Sequence, residues 1–190
     1  MSLSVSNHGI VYLASRDGLI IVDSERKVSE IITINSSLSR LSSVESVSTH
    51  DSIVYIGGNE GVYAWDKSTQ NKSFYPFESQ ESFGPVSDIH VTQEGRLFVA
   101  SGGLFEVKAG KIIKPDFMLP LITSEGIKSI VKIAELLSGE LLLASSQLGL
   151  VSITRSHESI NLIHQKEQVL RRNIKSFGSS EDFGFAVRTK

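Results

Sequence analysis

Cysteine is missing from all 190 positions. Its absence excludes disulfide cross-links and thiolate metal sites, and it suits an exported bacterial domain as well as a cytosolic one. No apolar run approaches the ~20 residues that cross a bilayer as a helix. Met1, Ser2 and Leu3 lead into neither a basic region nor an apolar core, so no signal peptide is expected in this sequence. Neither sign of charge dominates: 19 Lys and Arg stand against 21 Asp and Glu, for a formal net charge of −2. Bulk charge therefore draws the chain neither to nucleic acid nor to an anionic membrane. Also missing are His-Glu-x-x-His, Gly-x-Ser-x-Gly and a phosphate loop. The run Ser101-Gly102-Gly103 has no lysine after it and falls between two apolar stretches, which makes it a turn.

What the chain does contain is a repeated hairpin. Residues 53–66 hold two apolar stretches rich in β-branched and aromatic residues, too short for helices, on either side of Asn59-Glu60-Gly61. A polar pair followed by glycine reads as a tight turn between antiparallel strands, the glycine supplying positive φ. Two small residues close the first strand, and the same pair recurs as Ala14-Ser15, Gly57-Gly58, Ala100-Ser101 and Ala144-Ser145, at spacings of 43, 43 and 44 residues. After each pair come a turn, a glycine and a second apolar strand, beginning at Gly18, Gly61, Gly103 and Gly149. A period of about 40–45 residues holding several strands is the mark of a β-propeller, with one four-stranded blade per repeat. Apolar–polar alternation is largely absent from these strands, which predicts that sheets stack on both of their faces.

The expected architecture is therefore all-β, with four antiparallel blades over about 3–35, 44–77, 86–115, 127–163 and the start of a fifth over 169–190. Each blade begins with its innermost strand. The outer strand of the second carries Pro76, tolerated at an edge where no ladder donor is needed. A helical turn at 134–137 is an alternative for the end of one inner strand. Because the chain starts with an innermost strand and stops after the second strand of a blade, it is expected to be part of a larger propeller. Open sheet edges are then expected to drive self-association.

The strings Ile56-Gly57-Gly58-Asn59-Glu60-Gly61-Val62-Tyr63-Ala64-Trp65-Asp66 and Ala144-Ser145-Ser146-Gln147-Leu148-Gly149-Leu150-Val151 resemble the two-component regulator propeller repeat. The resemblance covers nearly the whole chain. It departs from the family pattern at Tyr12, Tyr55, Phe98 and Leu142, where a tryptophan is usual. It implies the sensor portion of a bacterial histidine kinase or diguanylate cyclase, outside the cytoplasmic membrane. The expected role is non-catalytic, with no cofactor, and the expected partner is a small molecule, carbohydrates included, or a protein.

Candidate sites are few. The turns between second and third strands share one end of the blades with the links between blades, and loops at such an end are where propellers commonly bind. Arg16, Arg40, Asn59, Glu60 and Gln147 are the expected ligand-binding residues, with Arg171 from a further link. His8 and His50 share a repeat position and His90 lies near it, but no carboxylate accompanies them in register, so no metal site is expected. The competing reading is a propeller enzyme of the lyase, lactonase or glycosidase kind, which needs His, Asp or Glu converging at the channel. Glu45, Asp88 and Glu135 do not all share one offset from the small pairs, which argues against it. Tyr63, Trp65 and Phe105, in third strands, are expected in the core between blades.

Overall fold

The structure, a computed structural model, describes residues 2–78, 84–116, 129–147, 149–154, 160–164, 174–180 and 184–189, with backbone alone beyond residue 154. Its strands fall into consecutive meanders. The first sheet comprises β1 (Ser2–Val5), β2 (Val11–Ser15), β3 (Gly18–Val22) and β4 (Val28–Thr33), followed by a single helical turn, α1 (Ile34–Ser37). The second has β5 (Ser46–His50), β6 (Ile53–Gly57), β7 (Gly61–Asp66) and β8 (Lys72–Pro76). The third has β9 (Asp88–Val91), β10 (Leu97–Ala100), β11 (Leu104–Lys108) and β12 (Lys111–Ile113). The fourth has β13 (Ile130–Glu135), β14 (Leu141–Ser145), β15 (Gly149–Ile153) and β16 (Ile160–His164), and β17 (Ile174–Ser180) pairs with β18 (Gly184–Thr189) in a fifth.

Every four-stranded sheet runs in chain order with antiparallel neighbours. The first strands β1, β5, β9, β13 and β17 lie against one another in succession. That arrangement makes the sheets blades of a β-propeller and the first strands its innermost ones. The expected blade order is met. The helical turn weighed for 134–137 is not: β13 continues to Glu135 and the chain then reverses, with Gly139 N–H donating to the Leu136 carbonyl at 2.8 Å. Gly139, at φ +82°, permits that reversal and so leaves no residues for a helix. The link at 117–128 and Arg171 lie outside the described residues.

Sheets pack by opposite faces. One face of the first sheet, with Tyr12, Ala14, Leu19, Ile21 and Ile32, forms a single core with Val47, Val54, Ile56, Tyr63 and Trp65 of the second. Leu38, Leu41 and Val44 from the link close that core. The second sheet's other face (Tyr55, Val62, Ala64) covers Ile89, Leu97, Val99 and Phe105 of the third. The third sheet's other face (Phe98, Ala100, Leu104) covers Ile133, Leu141, Leu143 and Val151 of the fourth. Tyr63, Trp65 and Phe105 therefore sit between blades, as expected. Burying each Leu or Ile contributes on the order of 1.5–3 kcal/mol, so these cores carry most of the stability.

The small pairs have a packing reason. A Cβ on Gly57 would lie 2.5 Å from Ser46 Oγ and 2.6 Å from Val86 Cγ1, and one on Gly58 would run into the Ser43 carbonyl. Ser101, the residue corresponding to Gly58, instead donates its hydroxyl to the Gly84 carbonyl at 2.6 Å. The pair thus marks where the incoming link presses on the end of the second strand. Gly61 has a comparable constraint: its φ is +152°, and a side chain there would strike the Tyr75 carbonyl of β8. Gly58→Ala is expected to lower the urea-unfolding free energy by roughly 1–3 kcal/mol, the cost of overpacking against backbone.

Candidate functional site

The innermost strands line a polar cavity of about 270 Å³ that is open to solvent. Its chemistry is concentrated between the third and fourth blades. Asp88 opens β9 and is only 8% exposed. Its Oδ1 accepts a hydrogen bond from Lys132 Nζ at 2.8 Å, and its Oδ2 accepts one from the Ile133 N–H at 2.8 Å. Two residues further along the strand, on the same face, His90 Nε2 lies 3.7 Å from Glu135 Oε2. Glu135 is held in turn by the Gln93 N–H at 2.7 Å. His90 Nε2 is buried without a hydrogen-bond partner. Ser2, Ser4 and Ser48 add hydroxyls to the wall.

Corresponding positions in the first two blades explain why these groups meet. Ser2 and Asp88 both pair with the alanine of a small pair, Ala14 and Ala100. Each side chain also receives an N–H from the next inner strand: Val47 donates to Ser2 Oγ at 3.3 Å, as Ile133 donates to Asp88. Ser4 and His90 correspond likewise. Ser4 Oγ meets Thr49 Oγ1 at 2.8 Å across the first blade boundary, where His90 meets Glu135 across the third. The fold thus provides two bridging positions at the first and third boundaries, and this chain fills those of the third with ionisable groups, whereas at the second the corresponding Ser46 Oγ has no hydrogen-bond partner. A register shift between Ile130 and Lys132 brings Lys132 opposite Ala144 and aligns Glu135 with Leu141, as Val91 aligns with Leu97.

Burial raises the Asp88 carboxyl above its ordinary value, opposed by the Lys132 ammonium and the hydrogen bonds from Lys132 and Ile133. Burial also holds the His90 imidazole below its ordinary value, against the pull of the Glu135 and Asp88 carboxylates. The cavity therefore offers a neutral imidazole at neutral pH beside the Lys132 amine and the Asp88 and Glu135 carboxyl groups. No group of three or more His, Cys, Asp or Glu suited to a metal occurs among the described residues.

The residues expected at the loop face are spread over the blades. Arg16 is exposed in the β2–β3 turn, and its carbonyl accepts the Val44 N–H at 3.2 Å. Three others gather where the β6–β7 turn meets the link before β5. Glu60 Oε2 accepts the Ser42 N–H at 3.0 Å, Asn59 Nδ2 donates to Ser42 Oγ at 3.3 Å, and the Arg40 guanidinium lies 5.2 Å from the Phe74 ring centre. Gln147 is exposed in the β14–β15 turn of the fourth blade, apart from them. Of the histidines with described side chains, His50 closes β5 beside Asp51 at 3.6 Å, and His90 pairs with Glu135 in the charged cluster. The offsets of Asp88 and Glu135 hid the pairs Asp88–Lys132 and His90–Glu135 because each contact is between neighbouring strands, roughly one repeat apart. Searching for ionisable pairs 44–45 residues apart would have found it.

Solved structures resemble the whole of this fold. The extracellular domain of a one-component system from Bacteroides thetaiotaomicron matches over 99% of this chain and 26% of its own, at 15% identity and a TM-score of 0.73. The extracellular domain of a hybrid two-component system from the same organism matches over 100% and 27%, at 16% identity and 0.71. The likeness is one of fold. A streptogramin B lyase matches over 84% of this chain and 52% of its own, at 13% identity and 0.66. The chain thus spans about a quarter of the sensor domains and about half of the lyase. No protein-family model and no curated protein matches the sequence.

Asp88→Ala is expected to destabilise the fold by roughly 1–3 kcal/mol in urea, because it strands the Ile133 N–H and the Lys132 ammonium, and Asp88→Asn by less. For pH, the sign follows from His90. Its folded value lies below the 6.5 of a free imidazole, so its contribution is complete above 6.5 and is lost as pH falls through that value. Asp88, raised above 3.8, acts in the opposite sense and loses stability as pH rises past 3.8. Between pH 7 and about 5 the urea midpoint of His90→Gln is therefore expected to fall less than that of the parent.

Proposed function

We propose that this chain is a non-catalytic recognition module of a bacterial signal receptor, working outside the cytoplasmic membrane and taking a small hydroxylated ligand at the propeller axis. The observation that carries the reading is the likeness of the whole chain to extracellular domains of two sensor systems. No helix among the described residues is long and apolar enough to cross a membrane, which accords with a domain held outside one. The cavity's chemistry supports the ligand class. Serine hydroxyls, two carboxylates and an ammonium match the donors and acceptors of a carbohydrate. A volume of about 270 Å³ is below the usual 300–1,000 Å³ of drug-sized ligand sites, so the fit is to a unit of monosaccharide size. Arg16, Arg40, Asn59, Glu60 and Gln147 remain the proposed recognition surface at the turn end, suited to a protein or to the outer part of a larger glycan.

A second reading is enzymatic, of lyase type. The likeness to a streptogramin B lyase and the unpartnered His90 Nε2 beside Glu135 favour it. Scanning fluorimetry against a panel of mono- and disaccharides tests the first reading. A ligand at 100 times its dissociation constant adds about 2.7 kcal/mol, which raises the melting temperature by several degrees. Lys132→Met is expected to abolish that shift. A panel without any shift, or a shift untouched by Lys132→Met, would refute binding at the axis, and turnover of a panel compound lost in His90→Ala would favour the enzyme.

A further inference from the structure

Glu135 is a buried carboxylate without a cation. Three acidic side chains engaged in charge contacts are nearly shut off from solvent: those of Glu135, Asp88 and Glu106 are 8%, 11% and 13% exposed. Two of them have the partner that such burial calls for. Asp88 takes Lys132 Nζ at 2.8 Å, and Glu106 takes Arg96 through Nε at 2.9 Å and Nη2 at 3.0 Å. Glu135 has one backbone donor, the Gln93 N–H, and lies 3.7 Å from His90 Nε2, which is beyond hydrogen-bond reach. An imidazole held neutral by burial brings no compensating charge. Nor does Lys132, because the Lys132–Asp88 pair is electrically neutral wherever its proton sits. The fold does not demand the carboxylate, since the corresponding positions of the other innermost strands hold Val5, Thr49 and Val91. What distinguishes Glu135 is its place on the wall of the axial cavity, where Lys132 is the one lysine or arginine among the described residues that line it.

We infer that the axial ligand is an amino sugar whose ammonium group is held by Glu135. The inference rests on the proposed reading of the cavity as a carbohydrate site and adds the charge of the ligand. A carboxylate that the chain leaves uncompensated is stabilised by a cation arriving with the ligand, and a primary ammonium supplies both the charge and N–H donors for the lone pairs that Gln93 does not occupy. A hexose carrying that ammonium suits the remainder of the cavity. The volume of about 270 Å³ is of monosaccharide scale, and Ser2, Ser4 and Ser48 of the first two blades contribute hydroxyls to meet those of the sugar. A bare metal ion is a poorer match, because no group of three or more His, Cys, Asp or Glu suited to one occurs among the described residues. An acidic sugar is disfavoured, because its carboxylate would meet that of Glu135 while Lys132 is engaged by Asp88.

Isothermal titration calorimetry of the full chain at pH 7 against matched trios tests this, each trio comprising a hexose (glucose, galactose or mannose), its 2-amino-2-deoxy form and its uronate. In the trio that binds, the amino sugar is expected to exceed the hexose at least about tenfold in affinity, the scale of one hydrogen bond to a charged group, and the uronate to bind weakest. Glu135→Gln, which keeps an oxygen for the Gln93 N–H, is expected to bring amino sugar and hexose to within about twofold of each other. The unliganded chain gives an independent readout. Removing a charge that lacks a partner is expected to leave the melting temperature of Glu135→Gln at or above the parent's, whereas Glu106→Gln, which breaks the pair with Arg96, is expected to lower it. A hexose bound as tightly as its amino form, a uronate bound tightest, a preference that survives Glu135→Gln, or a melting temperature that falls as far in Glu135→Gln as in Glu106→Gln would overturn the inference and leave carbohydrate binding at the axis standing. Binding by no member of any trio would refute the reading of the axis as a carbohydrate site, and this inference with it.

Discussion

The stacking of one sheet face on the opposite face of the next sheet is the interaction on which the rest of this structure depends. A four-stranded meander of these sequences has apolar residues on both sides and cannot bury either by itself. Tyr12, Leu19 and Ile21 are buried only because Val54, Ile56 and Trp65 of the following blade lie on them. Each blade is in this sense half of two cores, and stability is shared along the chain as in other repeat architectures. Local features follow from the requirement. The small pair at the end of the second strand lets the link reach the blade, as Gly58 does beneath the Ser43 carbonyl. The glycine opening the third strand lets the fourth pass close by.

The axis obeys a different logic. Side chains of the innermost strands face too little protein to be packed dry, and they bridge neighbouring blades by polar contacts. Where Ser2 and Ser4 do this with hydroxyls, Asp88 and His90 do it with ionisable groups. Replacing a hydroxyl by a carboxylate at a site 8% exposed is costly unless partners are supplied. Lys132 and the Ile133 N–H are those partners. His90 differs, with a buried Nε2 that lies 3.7 Å from Glu135 Oε2 and makes no hydrogen bond. This departure from the hydroxyl pattern occurs at one boundary out of the three described, and it is why the proposed site is placed there.

Much of the fold was legible in the residues themselves. The 43- or 44-residue spacing of the small pairs, the glycines after them and the β-branched strands between them determined an all-β repeat, its blade order and the depth of Tyr63, Trp65 and Phe105, because periodicity and strand chemistry are local properties that every repeat states again. Even Pro76 identified its strand as an outer one, and β8 is the last strand of its sheet. Tertiary structure decided what depends on two strands from different repeats. Asp88 and Lys132 hold the same position of successive repeats, opposite Ala100 and Ala144, and they and the His90–Glu135 pair meet only when β9 and β13 lie side by side, helped by a register shift that composition does not announce. The turn residues Asn59 and Glu60, read as free recognition groups, also hold the link through Ser42.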